Sequence, residues 1–291
     1  MTLTVTEKPN ATPVAKRSSS KGLGWFFWAC TFWVLAVIIL AIIAPLLPID
    51  NPNKTFVCQP FSGPSGSHLL GCDDLGRDIL SRIIFGSRVS MFVGIVSIGI
   101  GLIIGGFLGL ISGYNNKKLD TVMNTIANII ISFPTLILLL AIVAVFNHSL
   151  IVITLSISFI SIPLLFRVIR SATISVANKE FVQAARTMGS SRIRIVFVEI
   201  LPNITPIIVV YGCLGIGSAI IAEGTLAFLG LSVSLPTPSW GNMIAEGAQS
   251  FLRRDFLLTL WPSIMIIMTV VCFNFISQRL EGKFNSGDGA I

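Results

Sequence analysis

The chain has 291 residues, of which 53% are apolar and 11% charged, with a mean hydropathy of +0.87 and a net charge of +7. Soluble domains carry about 25% charged residues, so this composition excludes an ordinary soluble enzyme, a disordered protein and a small disulfide scaffold. In lipid only helices and closed barrels satisfy their own backbone, and continuous apolar runs favour helices over alternating strands. We therefore predict an all-α, polytopic membrane protein.

Six apolar runs are long enough to cross the hydrocarbon core, which takes about 20 residues of helix. No small-residue cleavage site follows the first run, so we interpret it as a retained span and not as a signal peptide. The predicted spans are Trp25 to Leu47, Val89 to Ser112, Val122 to Phe146, Leu150 to Val168, Ile204 to Phe228 and Phe256 to Phe275. The predicted organisation is a cytoplasmic N-terminal tail (1–24), a first transmembrane helix (25–47), an external loop (48–88), a core with five transmembrane helices (89–277) and a cytoplasmic C-terminal tail (278–291).

The distribution of lysine and arginine predicts the orientation in the membrane. If the N-terminus is cytoplasmic, 14 of the 20 basic residues fall in inside segments, namely the two tails, the turn at 113–121 and the loop at 167–203. The positive-inside rule then places both termini in the cytoplasm. The net charge belongs to a membrane face, so it needs no nucleic-acid partner. The other six fall outside, and three of them are arginines of the external loop, Arg77, Arg82 and Arg88.

The external loop holds two of the five cysteines, Cys58 and Cys72. A disulfide between them would close a Gly/Pro/Ser-rich segment in an oxidising compartment and contribute roughly 3 kcal/mol. Two free thiols are the equally weighted alternative. The only histidines, His68 and His148, lie in different loops, so no residues have metal-site spacing and we expect no metal. Nothing singles out a catalytic nucleophile.

No nucleotide-binding loop is present in the sequence. The one Gly-Lys pair, Gly282-Lys283, lacks both the upstream glycine and the Ser/Thr of a phosphate-binding loop. We therefore expect no cofactor on this chain, and any ATP and magnesium must bind to partner chains.

Small residues recur every four positions on one face of the second span. They are Ser97, Gly101, Gly105, Gly109 and Gly113. Such a ridge lets another helix approach the backbone closely. It faces either a pore or another subunit, or it packs against another helix of the same subunit, and the sequence leaves these open.

The segment from Asn178 to Asn203, between the fourth and fifth spans, carries helical signals although it lies outside the membrane. Its apolar residues at i, i+3, i+4 and i+7 are Phe181, Ala184, Ala185 and Met188. Gly189 is placed to end this helix, and Ser190 or Ser191 to cap the next one, which runs to Pro202. We predict a short surface helix presented to the cytoplasm. The alternative is an amphipathic helix on the lipid headgroups.

This segment resembles the EAA loop of the membrane subunits of bacterial ABC importers. The matching residues are Gln183-Ala184-Ala185, Gly189 and Ile200-Leu201-Pro202, with the family spacing from glycine to proline. Gln183 replaces the family glutamate, and Glu199 stands where an apolar residue is usual. The resemblance implies that the first helix, about Glu180 to Met188 within a cytoplasmic loop at about 170–203, docks in a cleft on an ATP-binding subunit. The coupling residues it implies are Glu180, Gln183, Ala184, Ala185, Gly189, Leu201 and Pro202.

Two further segments resemble the dipeptide, oligopeptide and nickel permeases. They are HLLGCDDLGRDILSRIIFGSRVS (68–90) and IAEGTLAFLGLSVSLPTPSWGNMIAEG (221–247). With six spans, the chain is similar to the C-type inner-membrane permease of that ABC importer family, which implies the type I importer permease fold. The implied function is half of a translocation path for peptides, with nickel or another small solute as the alternative. The implied partners are a sister permease subunit, two ATP-binding subunits and an external solute-binding protein, in a bacterial plasma membrane.

Glu223 is an ionisable residue near the outer end of the fifth span. Such a group is costly in lipid, so we expect it to line the translocation path, to pair with a neighbouring subunit, or to reach water or a local partner. The span interiors are otherwise almost free of charge, which argues against an ion-coupled secondary carrier. Two histidines and few carboxylates likewise argue against a membrane-embedded enzyme, so both remain distant alternatives.

Overall fold

The computed structural model describes residues 24–115, 117–146, 148–250 and 256–287. Residues 1–23 of the predicted N-terminal tail and 288–291 of the C-terminal tail lie outside these ranges. The α-helices are α1 (Gly24–Ile43), α2 (Ile79–Asn115), α3 (Lys117–Ser132), α4 (Thr135–Val145), α5 (Leu150–Ala177), α6 (Glu180–Thr187), α7 (Arg192–Arg194), α8 (Leu201–Phe228), α9 (Trp240–Ser250) and α10 (Leu257–Gly287). A 3₁₀ turn (Ala44–Leu46) follows α1, and a π-helical turn (Ile195–Ile200) joins α7 to α8. This architecture confirms the all-α prediction.

Within the ranges that the structure describes, five continuous helical segments are long and apolar enough to cross a membrane: Gly24–Leu46, Ile79–Tyr114, Leu150–Ala177, Arg192–Phe228 and Leu257–Lys283. The third predicted span differs, because α3 and α4 meet at an angle of 88° instead of forming one straight helix. The break falls at Phe133 and Pro134, and Pro134 precedes the first residue of α4. Proline has no N–H and disfavours helical geometry in the residue before it, which explains the bend. Counted as one broken span, the pair gives six.

Several helices continue beyond the apolar runs that predicted them. Helix α2 begins at Ile79 and not near Val89, and α5 extends to Ala177, so Arg167 and Arg170 lie within a helix and not in a loop. The polar extensions remain helical because other groups of the protein pair with their polar side chains. Arg170, for example, pairs with Asp120 of α3, with Nη2 2.6 Å from Oδ2. Hydropathy therefore locates the apolar centre of each helix and misses its ends.

Helices α2 and α5 pack backbone to backbone along much of their length. A Cβ atom at Gly105 would lie 2.5 Å from the carbonyl oxygen of Ile162, and one at Gly109 would lie 2.9 Å from that of Phe166. Only glycine fits at these two positions. On the same face, Ser97 Oγ donates a hydrogen bond of 2.9 Å to Thr154 O. The small-residue ridge thus joins two helices of one subunit, which is the second of the two interpretations above.

The two ends of α2 belong to opposite ends of the helical bundle. Its first turns contact the segment 48–78 and α9, and we call these two elements the disulfide end. Near its last turn, the ring of Tyr114 lies under the guanidinium of Arg186 in α6, with 5.8 Å between the guanidinium carbon and the ring centroid. We call α6, α7 and the π-helical turn the α6 end. Because α2 and α5 are packed together, they connect the two ends.

Candidate functional site

Helix α6 is attached to the bundle by a narrow apolar face. Val182 and Ala185 are buried, and they belong to one cluster with residues of α2, α5, the π-helical turn and α8. The other buried members of this cluster are Leu110, Ile169, Ala172, Val176, Ile195, Val196, Ile200 and Ile204. Two residues, Asn178 and Lys179, separate α5 from α6. This short connection and the shared cluster mean that α6 cannot move far without α5.

The opposite face of α6 is exposed although much of it is apolar. Phe181 is 40% exposed, Met188 is 80% exposed, and Ala184 is exposed between them. We call these three residues the outward apolar surface. The four apolar residues that the spacing placed on one face are therefore divided, since Ala185 points into the chain and Phe181, Ala184 and Met188 point away from it. An apolar surface that its own chain leaves uncovered is typical of a protein interaction site.

A Schellman turn ends α6 at Gly189. The N–H of Gly189 donates a hydrogen bond to Arg186 O, and the N–H of Ser190 donates one to Ala185 O. Each donor–acceptor distance is 3.1 Å. The backbone of Gly189 has φ +83°, while a Cβ atom there would meet no atom within 4 Å. Glycine is therefore needed for its left-handed conformation and not for lack of space. Ser191 caps the next helix, because its Oγ accepts a 3.3 Å hydrogen bond from Arg194 N–H.

The remaining predicted coupling residues surround this helix and its continuation. Glu180 is exposed in the first turn of α6, where a negative charge is favourable. Gln183 is also exposed, and its Nε2 donates a 3.2 Å hydrogen bond to Ala177 O, the last residue of α5. Leu201 is half-buried against the cluster beneath α6, whereas Pro202 is exposed in the first turn of α8. The structure thus brings all the predicted coupling residues to one end of the bundle.

The π-helical turn accommodates the unusual Glu199. Ile195, Val196 and Ile200 of this turn are buried, whereas Glu199 is half-buried on its outer side. The carbonyl of Glu199 accepts a 2.7 Å hydrogen bond from Asn203 Nδ2. The wider turn therefore lets three apolar side chains face inward while the carboxylate stays near the surface. Single π-helical turns are frequent at functional sites.

The disulfide end contains an ionic cluster that the sequence did not predict. Arg82 is 1% exposed, and its Nη2 lies 2.6 Å from Glu246 Oε2 of α9. Arg77 Nη2 lies 3.1 Å from the same oxygen, and Arg82 Nη1 lies 3.4 Å from Asp73 Oδ2. Burial raises the pKa of Glu246 above its ordinary value, although the positive charges of Arg82 and Arg77 oppose that shift. Two of the three external arginines, Arg77 and Arg82, are thus structural, whereas Arg88 is exposed.

The same end contains the two cysteines of the loop. Cys58 and Cys72 are joined in a disulfide whose Cα atoms lie 6.4 Å apart. The fold also brings a ring nitrogen of His68 near both sulfurs, with all three atoms within 4.8 Å of one another, an arrangement that the sequence spacing did not predict. His68 Nδ1 lies 3.1 Å from Asp78 Oδ1. Because the disulfide uses both sulfurs, no thiolate is left for a metal.

Glu223 lies in a closed polar pocket. Its side chain is 0% exposed, with Oε2 accepting a 3.2 Å hydrogen bond from Ser90 and Oε1 a 2.8 Å hydrogen bond from Ser232. The carboxylate therefore links α8 to α2 and to the segment that follows α8. This position favours a local partner over the path-lining role that the sequence left open.

The sequence and the fold were compared with known proteins. The profile of the family described as "Binding-protein-dependent transport system inner membrane component" matches residues 105–286. The dipeptide transport system permease protein DppC of Alkalihalophilus pseudofirmus is 38% identical over 248 residues, covering 85% of this chain and 81% of the relative. The oligopeptide transport system permease protein OppC of Haemophilus influenzae is 36% identical, and the match covers 77% of this chain and 71% of the relative. The glutathione transport system permease protein GsiD of Pectobacterium atrosepticum is 35% identical, and the match covers 87% of this chain and 84% of the relative.

A solved structure shows the same fold. A chain of the MetNI methionine ABC transporter in an inward-facing conformation matches with a TM-score of 0.60 and 18% identity, covering 71% of this chain and 97% of that one. At this identity the likeness establishes the fold, which is that of a type I importer permease.

Proposed function

Because the chain belongs to the family of binding-protein-dependent transport system inner membrane components, we propose that it is the C-type permease of an ATP-driven peptide importer. As a member of that family it is a multi-pass inner-membrane transport subunit and not an enzyme. Relatives named for dipeptide, oligopeptide and glutathione transport support a peptide as the solute. On this proposal the chain supplies half of the translocation path, and a sister permease supplies the other half.

The observation that carries the coupling role is the two-sided packing of α6. Its inner residues, Val182 and Ala185, are buried against the bundle, while the outward apolar surface is exposed. We propose that this surface docks in a cleft on an ATP-binding subunit. Small Ala184 at its centre lets the partner approach the helix backbone, and Phe181 and Met188 supply apolar contact area on either side.

Movement of α6 then has a direct route through the subunit. Helix α6 follows α5 after two residues, and α5 is packed to α2 at Gly105 and Gly109. Closure of the ATP-binding subunits would therefore move α5 and α2 together and change access to the path between the permeases. ATP and magnesium belong to the two ATP-binding subunits, and this chain needs no cofactor of its own.

The proposed orientation follows from the chemistry of the two ends. The α6 end carries Arg186, Arg192 and Arg194, which the positive-inside rule assigns to the cytoplasm along with both termini. The disulfide between Cys58 and Cys72 suits the oxidising side of the membrane. The solute-binding protein would deliver its solute at that disulfide end.

Reconstitution of the whole complex tests the proposal. The permease, its sister, two ATP-binding subunits and a solute-binding protein are placed in liposomes, and ATP hydrolysis and peptide uptake are measured. We expect peptide-loaded binding protein to stimulate hydrolysis and ATP to drive uptake. Uptake by this chain without ATP-binding subunits, or a complex that never imports peptide, would contradict the proposal.

A further inference from the structure

Arg167 is an exposed arginine inside a membrane-spanning helix. It lies ten residues before the end of α5, which corresponds to about 15 Å along the helix axis. Its Nη2 donates to Asn128 Oδ1 of α3, and within the described ranges no ion pair includes Arg167. Arg170, one turn further on, differs because it is paired with Asp120. The fold neutralises one arginine of this helix and leaves the charge of the other available.

The exposed residues around Arg167 change from apolar to polar along α5. Those before it are Ile151, Leu155, Phe159 and Leu164, and those after it are Ser171 and Ser175. An arginine at a helix centre in lipid costs about 2.5–3.5 kcal/mol by insertion scales, so the guanidinium of exposed Arg167 lies in water, against protein or among lipid headgroups. The polarity change therefore indicates that this half of the α5 surface does not face the hydrocarbon core.

These polar residues line a cleft between three helices. Arg167, Ser171 and Ser175 share a cleft of 520 Å³ with Tyr211 of α8 and Glu281 of α10. A second cleft of 370 Å³ shares Val168 and Tyr211 with the first and continues along α8 past Ser218 to Ala222. The two clefts together follow α5 and α8 through much of the bundle. We call the first of them the Arg167 cleft.

We propose that the Arg167 cleft is this subunit's share of the solute path and that Arg167 recognises the carboxylate of a passing solute, such as a peptide C-terminus. This inference rests on the proposed function and adds a specificity residue to it. A guanidinium has five N–H donors, and Asn128 accepts from one, so others remain for a bidentate contact with a carboxylate. The serine and tyrosine hydroxyls are neutral and suit varied peptide side chains.

Charge-selective thiol labelling tests whether the cleft is aqueous and whether Arg167 sets the potential near Ser171 in the assembled complex, since Glu281 of the same cleft carries the opposite charge. Ser171→Cys is made in a background in which Cys30, Cys213 and Cys272 are alanine, and anionic and cationic methanethiosulfonate reagents are compared. We expect Ser171→Cys to react, and the added Arg167→Gln change to lower the ratio of anionic to cationic rates by about fivefold or more, while Arg167→Lys preserves it. Phe32→Cys, on the exposed face of α1, is the control and should stay unreactive.

Transport of a matched peptide pair tests recognition of the carboxylate. The binding protein is loaded to the same extent with a peptide or with its C-terminal amide, and uptake into liposomes is measured. Arg167→Gln should reduce uptake of the free peptide at least about fivefold more than uptake of the amide. Equal effects on both peptides would overturn the assignment.

The labelling experiment also separates this inference from the proposed function. If the complex imports peptide but Ser171→Cys does not react, the cleft is sealed. If Arg167→Gln leaves the ratio of anionic to cationic labelling rates unchanged, the charge of the cleft is neutralised by the sister subunit. Either result overturns the role of Arg167 and leaves the importer proposal intact. A complex that never imports peptide contradicts the proposed function instead.

Discussion

The disulfide end and the α6 end place their chemically unusual residues in opposite ways. At the disulfide end, charged Arg82 is buried, and it is paired with half-buried Glu246. At the α6 end, apolar Phe181 is 40% exposed and apolar Met188 is 80% exposed. The disulfide end is therefore complete within one subunit, whereas the α6 end needs another protein to cover it. Changes at the first end should alter stability, and changes at the second should alter coupling.

The largest effect is expected from Arg82→Met. It leaves half-buried Glu246 beside only one guanidinium, and breaking a buried ion pair from one side costs up to about 3–5 kcal/mol. The midpoint of thermal unfolding of the purified complex measures this loss. Arg88→Met, an exposed position on the same helix, is the control and should cost less than about 0.5 kcal/mol. Equal shifts for the two variants would show that the ionic cluster does not stabilise this end.

The double variant Cys58→Ser/Cys72→Ser should cost about 3 kcal/mol of local stability. The disulfide closes a loop with a sequence separation of 14 residues, so its removal gives the segment 48–78 more conformational freedom. Limited proteolysis should then cut this segment faster, while ATP hydrolysis by the complex stays coupled to uptake. Lost coupling with unchanged proteolysis would reverse the roles that we assign to the two ends.

Gly189→Val tests the α6 end through its backbone. A β-branched residue in the left-handed region costs about 1–2 kcal/mol, which lowers the ratio of the native turn to other conformations by about 5- to 30-fold. We expect uptake per ATP hydrolysed to fall while thermal unfolding changes little. Gly99→Ala, which also adds a Cβ in open space but has no positive φ, should be silent. Normal coupling in Gly189→Val would argue strongly against this turn as the transmitting element.

The smallest effect is expected from Glu223→Gln. Glutamine keeps the shape of glutamate, and serine hydroxyls donate as well as accept, so Ser90 and Ser232 keep hydrogen-bonding partners. Peptide uptake should stay within about twofold of wild type, a change below about 0.5 kcal/mol. A loss of uptake with unchanged stability would instead make Glu223 part of the transport mechanism.

The features that depend on local sequence were predictable. Six apolar runs marked the spans, and the spacing around Phe181 with a glycine at 189 predicted α6 and its turn. Both signals arise from side chains a few residues apart, which periodicity and turn chemistry describe well. The position of the bend at Pro134 was predictable, because proline breaks a helix, but its angle of 88° was not.

The features that depend on distant contacts were not predictable. Arg82 and Glu246 are separated by 164 residues, so nothing in the local sequence showed that the external arginines have a buried partner. The glycine ridge of α2 was visible, but its partner α5 was not. Arg167 was assigned to a loop because hydropathy falls at the polar end of α5. In each case tertiary packing decides what a polar or small residue does.

The most direct test of the central claim is the affinity with which the permease, together with its sister subunit, binds the ATP-binding subunits. Phe181→Ser/Met188→Ser removes the apolar side chains of the outward surface, and Leu69→Ser removes an equally exposed apolar side chain at the disulfide end. We predict that the double α6 variant raises the dissociation constant for the ATP-binding subunits at least about tenfold, or 1.4 kcal/mol, and that Leu69→Ser leaves it unchanged. Unchanged affinity in the α6 variant, or an equal loss in both, would contradict docking at α6.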